Sequence, residues 1–400
     1  MRITQESGTS VPRFQWISAV LGICASSGAG LALGWSHYAI SALVLMALVL
    51  AILVLGDLGA FADRIGRLPN LLLLLVWSAC SITWAPDVLD ATGSWGAMTI
   101  AVLLGGAIAT RFSGMDAARL IFGTLCALAV ASVLVAELFP SIGTIVTSRP
   151  GIGATVRPVG LFDWNSRLGI VSAFGAVLGL GLWFERRNRT YFLLTLVVVA
   201  VVAYSQSATS VVACVGGLVA VVWKSSAFAR PVMNLACALI LVGLPTRTLE
   251  RLYAASLQLL GRSVDLTGRS GIWRGSIDLI KERPLLGYGI GNAPASATQS
   301  SGMNVDNAHN GYLQVMIELG IIGLLVFGVL VTVAVVRAVS VKSTWLFGCL
   351  TVFLISNSAN NYTMTSGITI TLMSWIWFSL RDPRWVIARR DQLHGASRKA

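Results

Sequence analysis

The chain has 400 residues, 56% of them hydrophobic and only 12% charged, with a mean hydropathy of +0.78. A soluble fold of this size covers its surface with about 25% charged residues, so a cytosolic enzyme, a secreted disulfide scaffold and a disordered tail are excluded. The 29 Lys and Arg outnumber the 17 Asp and Glu, a net charge of +12; most of the excess lies in short loops between apolar runs, which argues for membrane orientation and against nucleic acid.

A helix crossing the hydrocarbon core needs roughly 20 apolar residues. In chain order such runs are predicted at 15–34, 38–56, 68–85, 94–110, 118–139, 168–184, 190–206, 208–223, 231–247, 311–336, 344–358 and 367–380. The expected fold class is therefore an all-α polytopic membrane protein of about 12 transmembrane helices. The first run, after Arg13, is followed by small residues as in a signal peptide, but eleven further runs favour an uncleaved helix. With the N-terminus inside, the inner segments carry Arg2 and Arg13, Arg64 and Arg67, Arg111 and Arg119, Arg186, Arg187 and Arg189, Lys224 and Arg230, Arg337 and Lys342, and six more from Arg381, which is 19 of the 29. Positive short loops stay cytoplasmic, whereas long ones translocate despite their charge. Both termini are thus expected in the cytoplasm. The whole of 1–400 reads as one integral membrane domain, with outer segments at 140–167 and 248–310 and a basic tail, 381–400, on the inner surface. No soluble domain is expected at either end.

The six cysteines fall inside apolar runs without metal-ligand spacing and read as packing residues. Chemistry is expected in the two outer segments. In 248–310, Leu249, Leu252, Tyr253, Leu257 and Leu260 recur at helical spacing, as do Ile272, Trp273, Ile277 and Ile280, which predicts two amphipathic helices on the outer surface. Then comes PLLGYGIGN (Pro284–Asn292); without a surrounding β/α pattern it is a tight turn and no dinucleotide fingerprint. The segment ends in NAHNGYLQVMIELGIIGL (Asn307–Leu324). His309, at the mouth of a long apolar helix and beside Asn310, is either a structural hydrogen-bonding residue or a proton-transfer group. Glu318 is an intramembrane carboxylate, either a catalytic group or, as favoured here, the structural partner of an arginine. In 140–167, Arg157, Asp163, Asn165 and Arg167 stand where the chain re-enters lipid. Their arginines, and Arg269, serve either as lipid-headgroup contacts or as bidentate phosphate ligands.

The order RPVGLFDWN, SQSATS (Ser205–Ser210), TGRSGIWRGSIDLIKERPLLGYGIGN and AHNGYLQVMIELGIIG resembles the O-antigen ligase and O-antigen/exopolysaccharide polymerase superfamily of bacterial membrane glycosyltransferases, over roughly residues 155–330. The resemblance implies a GT-C-like fold in the inner membrane with its large loop and active face in the periplasm. It implies a metal-independent, inverting transfer with no cofactor, in which a glycan on undecaprenyl pyrophosphate is moved either onto the next lipid-linked repeat unit by a polymerase or onto lipid A–core by a ligase. It implies Arg157 and Arg269 at the departing pyrophosphate, His309 as or beside the base, and Arg167, Arg274, Asn165 and Asn310 in substrate binding. Membrane lipid, and chain-length or export proteins, are the partners it suggests. One departure stands out: many relatives carry a basic residue in the motif corresponding to SQSATS, where this chain has Ala208, so either another arginine, such as Arg167 or Arg274, replaces it or this chain manages with fewer. The SQSATS and GRSGIW…GYG blocks lean toward polymerases, although both branches share the motifs. A flippase of similar span count and a structural subunit of an export complex are the competing classes; the polar residues gather at the outer surface and no internal repeat is seen, unlike most transporters.

Overall fold

The computed structural model describes residues 11–27, 35–55, 57–149, 153–226, 230–231, 269–293, 307–341, 343–361 and 367–380. Its helices are α1 (Arg13–Ser26), α2 (Trp35–Leu55), α3 (Leu58–Gly66), α4 (Pro69–Cys80, continued by a 3-10 turn Ser81–Trp84), α5 (Val88–Arg111), α6 (Gly114–Leu138), the short α7 (Pro140–Gly143), α8 (Asn165–Arg186), α9 (Arg189–Tyr204), α10 (Ala208–Ser225), α11 (Arg269–Glu282), α12 (Gly311–Ser340), α13 (Thr344–Asn357) and α14 (Gly367–Leu380). Eleven of the twelve predicted runs coincide with helices; the run 231–247, the predicted amphipathic helix 249–260 and the tail lie outside the described residues. Among the described residues five helices (α5, α6, α8, α10 and α12) are long and apolar enough to cross a membrane, or six if α2 and α3, bent by 104°, are counted as one. α4, α9, α13 and α14 are shorter apolar helices. The protein is a mostly helical, polytopic membrane protein.

The all-α expectation needs one correction. β1 (Thr144–Arg149) and β2 (Gly153–Pro158) pair antiparallel, with Ile145 opposite Arg157 and Thr147 opposite Thr155. β1 is rich in β-branched residues, which favour a pleated surface, and the Thr147 and Thr155 hydroxyls meet at 3.1 Å. This β-structure hides in a sequence otherwise dominated by helical apolar runs.

α8 is the central post, with 78% of its apolar window buried, against 33% for α12. Small residues let its neighbours close on it, the usual device where lipid offers no hydrophobic drive to association. A Cβ on Gly217 of α10 would meet Val352 of α13 and Val177 of α8, and one on Gly348 of α13 would meet Val177 and Val221. α10 and α13 run antiparallel, because Gly216 packs on Ile355 while Val221 packs on Gly348.

Basic side chains gather at one pole and bond the helix C-termini there. Arg64 donates to Ala109 O, Arg111 to Leu53 O, Lys224 to Ala338 O and Arg337 to Leu380 O. These are the open carbonyls at the negative ends of α5, α2, α12 and α14. The starts of α5, α8, α10 and α12 form the opposite pole, where side chains cap them: Asp87 at α5, Ser207 at α10 and Asn310 at α12.

Candidate functional site

The pole opposite the basic loops collects the motif segments. After β2 the chain turns at Gly160, whose φ of +62° and contact with Ser132 of α6 leave no room for a side chain. Arg157 is half-buried on the strand face shared with Ile145, Thr147 and Thr155, while the cross-strand pair Val146 and Val156 is exposed on the other. Asp163 and Arg167 form an ion pair of 3.1 Å at the start of α8, both largely shielded from solvent. Burial pushes the Asp163 carboxyl above the usual range, and the Arg167 guanidinium pulls it back only in part. Much of the charge of Arg167 is thereby already answered within the protein.

Asn165 is buried and donates from Nδ2 to Ser205 O at 2.9 Å, tying α8 to the SQSATS turn. That turn is made by Gln206, whose φ is +52°, and by Ser207, which caps α10 and receives the Ser210 hydroxyl at 2.8 Å. Gly169 of α8 admits this turn: a Cβ there would come within 2.6 Å of the Ser205 and Ser210 hydroxyls. The motif thus works as a serine-built helix junction against α8.

His309 sits in the left-handed region, with φ of +45°, and its N–H donates to Asn307 Oδ1 at 2.9 Å. A non-glycine residue pinned there by an Asx turn is a built feature and no accident of a loose loop. Asn310 then caps α12, accepting from Tyr312 N and Leu313 N, and donates from Nδ2 to Ser358 O at 3.0 Å. Gly311 packs against Asn357. The end of α13 therefore holds the turn of His309, and since α13 runs antiparallel to α10 its end lies beside the SQSATS junction. The buried Asn357, Asn360 and Asn361 are the residues that sequence reasoning missed. Their signal was available: polar residues closing an apolar run, which cluster at protein-facing positions.

α11 docks on the same turn, Trp273 Nε1 donating to Ala308 O at 3.1 Å. Its Ile272, Leu279 and Ile280 are buried, while Ile277 and Arg274 are exposed. Arg269 opens α11 one turn before Trp273, and its side chain lies outside the described residues. So the structure brings Arg157, Asn165, Arg167, His309 and Asn310 to one pole on adjoining elements and leaves Arg274 at the solvent-facing side of α11. Among the described residues no three His, Cys, Asp or Glu side chains gather as a metal cage requires.

The glycine-rich stretch has a definite partner. α12 is broken at Gly320, with φ of +66° and ψ of −171°, a combination essentially confined to glycine. The break frees carbonyls, which are taken up from outside: Ile317 O by Tyr288 N and Glu318 O by Gly289 N, both at 2.8 Å, and Leu319 O by Trp77 Nε1 at 3.0 Å. Gly287, Gly289 and Gly291 all have positive φ, so the expected turn is a tight one, and it wedges between the break and the α4–α5 connection. Glu318 departs from expectation. Among the described residues it pairs with no arginine; Gln314 Nε2 donates to Oε1 at 2.6 Å and Gly291 N to Oε2 at 3.0 Å.

No curated protein matches the chain. A solved structure described as "Structural coordination of polymerization and crosslinking by a peptidoglycan synthase complex" contains a chain similar at 17% identity, with a TM-score of 0.44, over 79% of this chain and 97% of that one. Residues 152–328 match the sequence model of the family described as O-antigen ligase. That stretch contains β2, the α8 entrance, the SQSATS junction, α11, the glycine turn and the turn of His309, and over it the chain is similar to the O-antigen ligase family.

Proposed function

We propose that the protein is a membrane glycosyltransferase that polymerises oligosaccharide repeat units carried on undecaprenyl pyrophosphate into exopolysaccharide or O-antigen. In this reading the chain crosses the bacterial inner membrane about twelve times, both termini are cytoplasmic, and the site faces the periplasm. The observation that carries it is the gathering of the family's motif segments at the pole opposite the basic loops, which by their charge belong in the cytoplasm. A lipid-anchored donor presented at the outer surface would meet Arg157, Arg167 and His309 there.

The chemistry follows from the residues. An acceptor hydroxyl attacks the anomeric carbon, its proton passing to His309, while the bond from that carbon to the pyrophosphate oxygen breaks and the lipid pyrophosphate leaves with the electron pair. Pyrophosphate is already a good leaving group, so the protein's work is to hold the acceptor in line and to neutralise the charge that develops. Arg157 and Arg269 supply that charge in place of a metal. Arg167 contributes less because Asp163 already answers it. Arg157→Ala is accordingly expected to lower the transfer rate about 100-fold, and Arg167→Ala nearer ten-fold, in side-by-side initial-rate assays. Equal losses would show that the ion pair opens when donor binds.

The deciding experiment supplies purified protein in liposomes with the host's lipid-linked repeat unit and resolves products by length. A ladder formed with no other acceptor is the expected result. The similarity to the O-antigen ligase family favours a second reading, transfer to lipid A–core; a single product appearing only when lipid A–core is added would establish that ligase instead. No product from folded protein and native substrate would sink both and turn attention to flipping.

A further inference from the structure

We propose that Gln314 and Glu318 are positioning residues that fasten the turn carrying His309 to the glycine turn Pro284–Asn292, so that the two segments behave as one unit; the catalytic consequence rests on the function proposed above. Both side chains are 2% exposed and lie one helical turn apart on α12. They complete an unbroken hydrogen-bond chain. Ala308 N donates to Gln314 Oε1 at 2.8 Å, Gln314 Nε2 to Glu318 Oε1 at 2.6 Å, and Gly291 N to Glu318 Oε2 at 3.0 Å. Ala308 immediately precedes His309, and its carbonyl oxygen accepts from Trp273 Nε1.

The residue types follow from the ends of the chain. Both ends are backbone N–H groups, so the two side chains between them must offer three acceptors and one donor. One carboxylate and one carboxamide meet that count, and each oxygen of Glu318 takes a separate donor. An apolar side chain at 318 would avoid burying a charge in an apolar helix. The carboxylate is explained by the donors it joins. Because Gly289 N also bonds Glu318 O across the break at Gly320, a shift of the glycine turn is carried to the peptide of His309 through side chain and backbone together.

The test uses the full-length protein in detergent, with amide hydrogen exchange read on peptides covering residues 286–293 and 306–313, alongside initial rates on the lipid-linked repeat unit. In Glu318→Gln one oxygen becomes NH2 and faces a donor, so both peptides should exchange about ten-fold faster or more. The turnover number should fall by a similar factor, with KM within about two-fold. Gln314→Glu sets two carboxylates against each other and should act in the same direction. The exchanged pair Gln314→Glu with Glu318→Gln regenerates all three hydrogen bonds with the middle one reversed, and should restore both exchange and rate. This last variant also separates positioning from simple misfolding. Unchanged exchange in the single variants, a response confined to one peptide, or failure of the exchanged pair to rescue would overturn the proposal. Rescue of exchange without any effect on rate would overturn its catalytic part. If exchange behaves as expected but even the unaltered protein transfers no glycan, the positioning stands and the proposed function fails.

Discussion

Replacing His309 with alanine is expected to lower glycan transfer by about 10²–10⁴-fold, the usual cost of removing a positioned general base. The loss should appear in the turnover number with KM little changed, because the proposed mechanism assigns the pyrophosphate to arginines and the acceptor proton to the imidazole. The geometry supports a specific job for this residue. Its backbone is kept at a φ of +45° by Asn307, the next residue caps α12, and Asn310 is tied in turn to Ser358 at the end of α13. A side chain needed only to fill space would not call for a left-handed backbone, which costs on the order of 1–3 kcal/mol. Initial rates with saturating and limiting donor, on protein checked for an unchanged melting temperature, make the measurement. A rate within a few-fold of the unaltered protein would remove His309 from the chemistry.

Gly320→Ala is expected to be the most damaging single-methyl change in the chain. The φ and ψ at this position belong to glycine alone, and an added Cβ would run into the carbonyl of Leu285 in the opposing turn. Backbone cannot give way as a flexible side chain does, so the change should cost roughly 3 kcal/mol or more. It should lower the melting temperature in detergent and expose Pro284–Asn292 to protease. Gly328, two turns further along α12, supplies the control. A Cβ there meets nothing within 4 Å, and Gly328→Ala should be neutral or stabilise by up to about 1 kcal/mol through helix propensity. Equal behaviour of the two variants would mean that the break at Gly320 does not hold the glycine turn.

Much of this architecture could be read from the amino acids because membrane helices announce themselves by length and apolarity. Other features depend on partners distant in sequence. Gly287, Gly289 and Gly291 promised a turn, but the surface they turn against is a helix break some thirty residues later, which no local window contains. The hairpin was hidden for a different reason: Thr144–Thr147 and Thr155–Val156 are consecutive β-branched residues without a clear alternation, and each strand is too short to compete with the apolar runs around it. Glu318 was read through its charge, which pointed to arginine. Its actual side-chain partner, Gln314, stood one helical turn away. The polar close of α13 was passed over because a run ending in Ser356–Asn361 looks like an ordinary loop until Asn310 is seen to bond Ser358.

The basic residues at the pole opposite the motif segments have a second consequence for how the protein lives in its membrane. Positive charges near helix ends are read during insertion, when they choose which side a loop remains on. Here Arg64, Arg111, Lys224 and Arg337 end up donating to carbonyls of neighbouring helices. A signal consulted once at synthesis thus becomes a fastener in the finished bundle, and those cations are withdrawn from competition for anionic headgroups. Orientation and packing are then secured by the same few atoms, so inverting one loop would mean unbuckling a helix that the loop does not belong to.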